Sequence, residues 1–147
     1  MRPIQLVIVI PAPPDRVWAV LADLGSHHEW MADAGEIRFD GPQRTGVGTR
    51  MRVPTRVGPF RTTDLMTVVE WDEGTAISVD HVGAVSGSGR FHLEQQGEGT
   101  RLTWSEWLRF PWWMGGKAGA WLATPILKRI WRDNLARLAA RAAVSDP

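Results

Sequence analysis

Ile4, Leu6, Ile8 and Ile10 alternate with Gln5, Val7 and Val9, a period-two run rich in β-branched residues that predicts a strand at the amino end. Pro11, Pro13 and Pro14 end it at once. Pro13 or Pro14 carries a φ suited to a first helical turn, and Asp15 places negative charge at the positive end of the helix that follows. Val17, Leu21 and Leu24 share a face with Trp18 and Val20 beside it, and Gly25 is the predicted stop. Ser26 and Glu29 have capping-box spacing, which predicts a second short helix leading into Trp30 and Met31.

Beyond this point the alternation returns and persists. Ile37 and Phe39 against Glu36 and Arg38, the turn Gly41 to Gly46, then Met51 and Val53 against Arg50 and Arg52 predict a hairpin. Further strands are expected over 61–71, 76–82, 90–95 and 100–110, separated by Asp72, Glu73, Gly74 and by Gly97, Glu98, Gly99. With the first run this makes about seven strands, antiparallel wherever the links are short. The stretch 83–89 is glycine-rich but lacks the Gly-Lys-Ser/Thr of a phosphate loop, and reads as a flexible approach to a strand. The tail from Pro125 to Ala143 predicts a helix of about 28 Å, with Leu127, Ile130, Trp131, Leu135, Leu138 and Ala142 on one arc and Lys128, Arg129, Arg132 and Asp133 on the other. Pro125 is expected to break off Lys117 to Thr124 as a separate turn or kinked segment.

No repeat, linker or low-complexity tract interrupts the 147 residues, so one domain over 1–147 is expected. The absence of cysteine excludes disulfides, thiolate nucleophiles and cysteine-ligated metals, and fits a reducing cytoplasm. The apolar run near the amino end is short and alternating and no small-residue cleavage site follows, so a signal peptide is not expected. A net charge of +1 argues against nucleic acid as a partner, although six Lys or Arg against two Asp from residue 117 onward make the carboxyl end locally basic. There are nine tryptophans and no tyrosine, and Trp104, Trp107, Trp112 and Trp113 fall within ten residues.

The order of strand, two short helices, a run of six strands and one long terminal helix resembles the START-like superfamily of the polyketide cyclase/dehydrase and lipid-transport type. The residues that carry the resemblance are Ile10 to Trp18, His28, Glu29 and Trp30, Val47 to Arg50, Val68 to Asp72, Gly99 to Thr103 and the terminal helix. It spans nearly the whole chain. It implies an α+β helix-grip fold, a curved antiparallel sheet wrapped around the carboxyl-terminal helix, and a cavity between the two for a small apolar or amphipathic molecule. None of the matching residues is a catalytic signature.

If that cavity exists, strand alternation assigns its lining to Met51, Val53, Asp64, Met66, Val68, Ile77, Val79, His81, Phe91, Trp104, Glu106 and Leu108, with Trp30, Leu127, Trp131 and Asn134 from the helical elements. Asp64 and Glu106 occupy apolar parities: they are either carboxylates in a greasy cavity with raised pKa values, or strand-end groups paired with Arg61 or Arg109. His81 shares a face with Ile77 and Val79, as a proton shuttle or as a histidine satisfied by backbone. Asn134 sits inside the apolar arc of the terminal helix, where its amide meets a ligand or fastens the core. His27 and His28 are adjacent and do not face each other, so no metal site and no cofactor are expected.

The leading expectation is a protein that binds or carries a lipid, polyketide or similar molecule without chemistry. One alternative is a polyketide cyclase or dehydratase using Asp64, His81 or Glu106. Another is a membrane-surface or protein-interaction domain acting through Trp112 and Trp113. Residues 110–127 contain only one charge, Lys117, but Gly115, Gly116, Gly119 and Pro125 argue against a membrane-spanning helix. The exposed-tryptophan reading places these rings beside Lys128, Arg129 and Arg132 at a membrane surface or lipid-loading mouth; the competing reading has them capping the core or a dimer contact.

Overall fold

The computed structural model describes residues 2–143. Seven strands form one sheet: β1 (Ile4–Ile10), β2 (Arg38–Phe39), β3 (Arg50–Val57), β4 (Phe60–Asp72), β5 (Ala76–Val82), β6 (Ser86–Gln96) and β7 (Gly99–Arg109). Their order is β1-β7-β6-β5-β4-β3-β2, and each neighbouring pair is antiparallel. The amino-terminal strand therefore completes the sheet beside the last strand. Its predicted parity holds, with Leu6 and Ile10 buried while Val7 and Val9 are exposed. Helix α1 (Pro14–Ala22), a 3₁₀ helix (Leu24–Glu29) and the long helix α2 (Gly116–Ala143) complete a helix-grip fold of the α+β class.

Three local expectations need correction. The first helix ends at Ala22, with Asp23 at its C-cap, before Gly25, where a Cβ would lie 3.3 Å from the Phe39 ring. The capping box does not form: Asp23 holds the N-cap position of the 3₁₀ helix without a side-chain cap bond, and the Ser26 hydroxyl donates to the Asp23 carbonyl at 2.8 Å. Pro125 does not divide the terminal helix, which runs continuously from Gly116. Proline there removes only the bond to the Trp121 carbonyl, and both residues face solvent, so that carbonyl stays hydrated. Pro54 inside β3 is tolerated because β2 stops at Met51 and Arg52 and only a short bridge, Ala34 with Thr55, lies beside it: Gly35 N–H donates to the Pro54 carbonyl and Arg56 N–H to the Asp33 carbonyl, so the proline forgoes a single bond.

α2 buries Leu127, Trp131, Asn134, Leu135, Leu138 and Ala142 against the core built by Ile10, Val17, Leu21, Leu93 and Leu102; of the predicted arc, Ile130 alone is only half-buried. None of its residues before Leu127 is fully buried. The amino-terminal part of α2 thus overhangs the sheet instead of closing on it. The gap it leaves is the cavity.

Candidate functional site

A cavity of about 390 Å³ lies between the sheet and α2, within the range of about 300–1,000 Å³ usual for small-molecule sites. Its lining is almost entirely apolar. Thirteen of the sixteen residues assigned from strand and helix patterning line it: Met51, Val53, Asp64, Met66, Ile77, Val79, His81, Phe91, Trp104, Glu106, Leu108, Leu127 and Trp131. Trp30, Val68 and Asn134 do not. Trp30 and Val68 are wholly buried in the core; the Trp30 ring packs on His27 and Phe91, which do face the cavity.

Asn134 takes the core-fastener alternative. Its Nδ2 donates to Asp33 Oδ1 at 2.8 Å, and its Oδ1 accepts from the Ala32 N–H at 3.0 Å and from Arg137 at 2.6 Å. These bonds use the amide's acceptor and tie the segment after the 3₁₀ helix to α2. Asp33 Oδ2 also accepts from Trp131 Nε1 at 3.3 Å, which places a carboxylate at the cavity wall that patterning did not single out.

One wall is aromatic. Phe91, Trp104 and Trp131 form a tilted stack, with centroids 4.9 Å and 5.1 Å apart and 33° between planes at both steps. The polar groups collect beside it. Met66 on β4 faces His81 on β5, and Glu106 on β7 faces Gly89 on β6. His81 and Glu106 are thus separated by β6, across which two inter-strand spacings amount to about 9–10 Å. β6 presents Gly87 opposite His81 and Gly89 opposite Glu106, so no side chain intervenes, and His81 Nε2 reaches Glu106 Oε2 at 3.2 Å. A Cβ on Gly89 would strike Glu106 Oε1, and one on Gly83 would strike Asp64 Oδ1. The glycine-rich stretch 83–89 is therefore room made for two carboxylates. It is not a flexible approach, since 86–89 are regular strand.

Trp104 Nε1 donates to Glu106 Oε1 at 3.0 Å, and Thr55 Oγ1 donates to Asp64 Oδ2 at 2.8 Å. Burial disfavours the His81 imidazolium, but the hydrogen bond and charge of Glu106, the charge of Asp64 and a smaller contribution from the Val85 backbone outweigh it, so its pKa is raised. Burial likewise pushes the Asp64 carboxyl up; the Thr55 bond and the His81 charge oppose this, and the Asp33 charge adds to it. Asp64 Oδ1 and His81 Nδ1 are buried without a well-formed hydrogen bond. The result is an imidazole whose pKa is raised by the carboxylate it bonds, with a second carboxyl, Asp64, whose pKa burial also raises, at one end of an apolar cavity. Such a set can donate or accept a proton or hold a ligand oxygen.

His27 lies at the opposite extreme. Its Nε2 donates to the Leu21 carbonyl at 2.7 Å, which fixes the tautomer because a carbonyl only accepts. Burial lowers its pKa to about 4, against smaller raising effects from that hydrogen bond and from Asp23. It lines the cavity as a neutral, apolar-facing ring. Patterning missed it, although Leu24, His27 and Met31 recur at helical spacing and all three line the wall. Thr55 and Val57 also line the wall, although the alternation assigns no residue of this strand beyond Val53. Among the described residues no cluster of three or more His, Cys, Asp or Glu is placed to hold a metal ion.

The cavity reaches solvent at its exposed lining residues, Phe60 and Arg61 of the β3–β4 hairpin and Trp113 and Ile126 near the start of the terminal helix. Trp113 is set by a 3₁₀ turn (Trp112–Met114) that ends in Gly115 and Gly116, both left-handed with φ of 90° and 53°. Two consecutive residues of that kind require glycine.

A curved antiparallel sheet gripping a long helix over an apolar cavity defines a START-like domain. The chain belongs to the polyketide cyclase/dehydrase and lipid transport family, whose sequence model matches residues 1–143. Comparison with curated proteins gives no match. Among solved structures, a conserved protein from Geobacillus kaustophilus is similar at a TM-score of 0.77 and 15% identity over 95% of this chain and 93% of that one. The Zhui aromatase/cyclase from Streptomyces sp. R1128 is similar at 0.75 and 16% over 96% and 93%. A START superfamily protein from Mycobacterium smegmatis is similar at 0.66 and 13% over 96% and 94%. At these identities the likeness is one of fold.

Proposed function

We propose that the protein binds or carries a small, largely apolar molecule whose flat apolar body lies against Phe91, Trp104 and Trp131 and whose polar edge meets His81 and Glu106. The observation that carries this reading is the cavity of about 390 Å³ with an aromatic wall and a single polar end. Native mass spectrometry and thermal melts with phospholipids, quinones and aromatic polyketides test it. A true ligand at about 100 times its Kd adds about 2.7 kcal/mol, a rise of about 5–10 °C in Tm. Retention of no added mass and a flat melting temperature across all three classes would sink the reading.

A second reading, an acid–base cyclase or dehydratase, is favoured by one specific observation: Asp64, His81 and Glu106 meet at the same end of the cavity. The protonated His81 would donate to a ligand carbonyl oxygen while Glu106 holds the ring in place. Glu106→Gln keeps the shape and the Trp104 bond but withdraws the charge that holds the His81 proton. With an aromatic polyketide precursor, the expected result for an enzyme is turnover down by about 10²-fold or more with binding retained. Binding that persists with no product from the unaltered protein leaves the carrier reading alone.

A further inference from the structure

Large apolar side chains stand in solvent around the mouth. Trp112 is 88% exposed, Leu122 67%, Trp113 62%, Phe60 61% and Ile126 59%. Leu122 and Ile126 are four residues apart and share a helix face with Arg129. Trp121, at 76%, lies on the neighbouring face with Lys117 and Lys128. Over Gly116 to Ile126, α2 carries one charge and no fully buried residue. A surface of this kind costs solvation free energy unless something covers it.

The charge around these side chains is predominantly positive. Residues 54–63 and 107–132 together hold seven Lys or Arg and no Asp or Glu. Arg56, Arg61, Arg109, Lys117 and Arg129 among them are exposed. Of the carboxylates that line the cavity, Asp64 and Glu106 are held inside it and Asp33 is bonded to Trp131 and Asn134, while Glu36 and Asp133 are exposed carboxylates next to these segments in the sequence. Tryptophan rings and aliphatic groups flanked by free cations match the headgroup region of an anionic bilayer, where the rings sit at the polar boundary and the cations meet lipid phosphates. A second copy of this chain would bring cations against cations.

We infer that the cavity mouth is a peripheral docking surface for anionic membranes, so that the cavity opens onto the bilayer instead of bulk water. This stands on the outer face of the mouth, whether or not the cavity holds a ligand.

Sedimentation with vesicles of phosphatidylcholine, alone or with about 30% phosphatidylglycerol, tests it. The intact protein is expected to partition into the anionic vesicles and much more weakly into the neutral ones, and to be released as salt rises from about 0.1 to about 0.5 M. Neither Trp112 nor Leu122 lines the cavity, so Trp112→Ala/Leu122→Ala is expected to lower partition at least about tenfold while leaving any soluble-ligand binding unchanged. Arg109→Glu/Lys117→Glu is expected to erase the preference for anionic lipid, at about fivefold per cation removed. Absence of partition, equal partition into both vesicle types, or variants that bind like the parent would overturn the proposal. So would light scattering that shows a dimer dissociated by Trp112→Ala/Leu122→Ala in a protein that ignores vesicles, because the mouth would then be a contact between copies.

Discussion

Gly87→Ala is expected to destabilise the protein by about 3 kcal/mol, lowering Tm by about 10 °C, whereas Gly89→Ala on the same face costs about 2 kcal/mol and is felt mainly in the site. The difference lies in what each new methyl meets. At Gly87 it meets the backbone of β7: it overlaps the Trp107 carbonyl oxygen, with the carbonyl carbon 2.9 Å and Leu108 Cα 3.2 Å away. β6 and β7 are paired from Ser86 to Gln96, so neither strand can yield locally without giving up ladder hydrogen bonds. At Gly89 the three atoms nearest the methyl all belong to the carboxylate of Glu106, the far end of a flexible side chain that swings aside at little steric cost. In doing so it abandons both His81 Nε2 and Trp104 Nε1. The lost stability is that of a nearly buried ion pair broken from one side. The His81 pKa then reports the event. With Glu106 withdrawn, burial dominates, and histidine resonances in NMR that titrated above the ordinary value of 6.5 are expected to titrate below it. A Gly89→Ala protein whose His81 still titrates high would show that the pair does not depend on the opening in β6.

How far the sequence could be read depended on the length scale of each feature. Period-two alternation is local, so β1, β4, β5 and β7 and the inward parity of Asp64, His81 and Glu106 were legible, and with them most of one cavity wall. What alternation cannot express is how far a cavity extends along a face. Val68 has the correct parity yet lies wholly in the core, and Trp30 is one aromatic layer too deep. The pairing of His81 with Glu106 was hidden for another reason: it is made across an intervening strand and depends on Gly89, whose meaning is the absence of a side chain. Gly87 and Gly89 look like flexibility in a sequence and like space in a sheet. Pro125 misled in the opposite direction, since a local rule about helix interiors yields where the freed carbonyl faces solvent. The cluster of tryptophans divided in a way no composition shows, with Trp104 in the cavity wall and Trp112 and Trp113 at its outer rim.

Acidification from pH 6.5 to 4 is expected to cost the protein about 3 kcal/mol through His27 alone. The folded pKa of about 4 lies below the value of 6.5 expected for the unfolded chain. Above pH 6.5 the ring is neutral in both states and contributes nothing to the pH dependence. Below 6.5 the unfolded chain takes up a proton that the folded protein refuses, so stability falls by about 1.4 kcal/mol per pH unit until the folded ring also protonates near pH 4. Asp64 and His81 act in the other direction, because a raised pKa in the folded state favours folding as pH falls: Asp64 below its raised value, His81 fully below 6.5. A single melt against pH therefore mixes opposing effects. The difference between the unaltered protein and His27→Gln isolates one of them. The glutamine amide can keep a bond to the Leu21 carbonyl but has no proton to gain, so His27→Gln should lose less stability on acidification, by about 3 kcal/mol at pH 4 in urea titrations. A flat difference between the two curves over that interval would mean that the ring is charged in the folded protein and that the apolar floor of the cavity admits water.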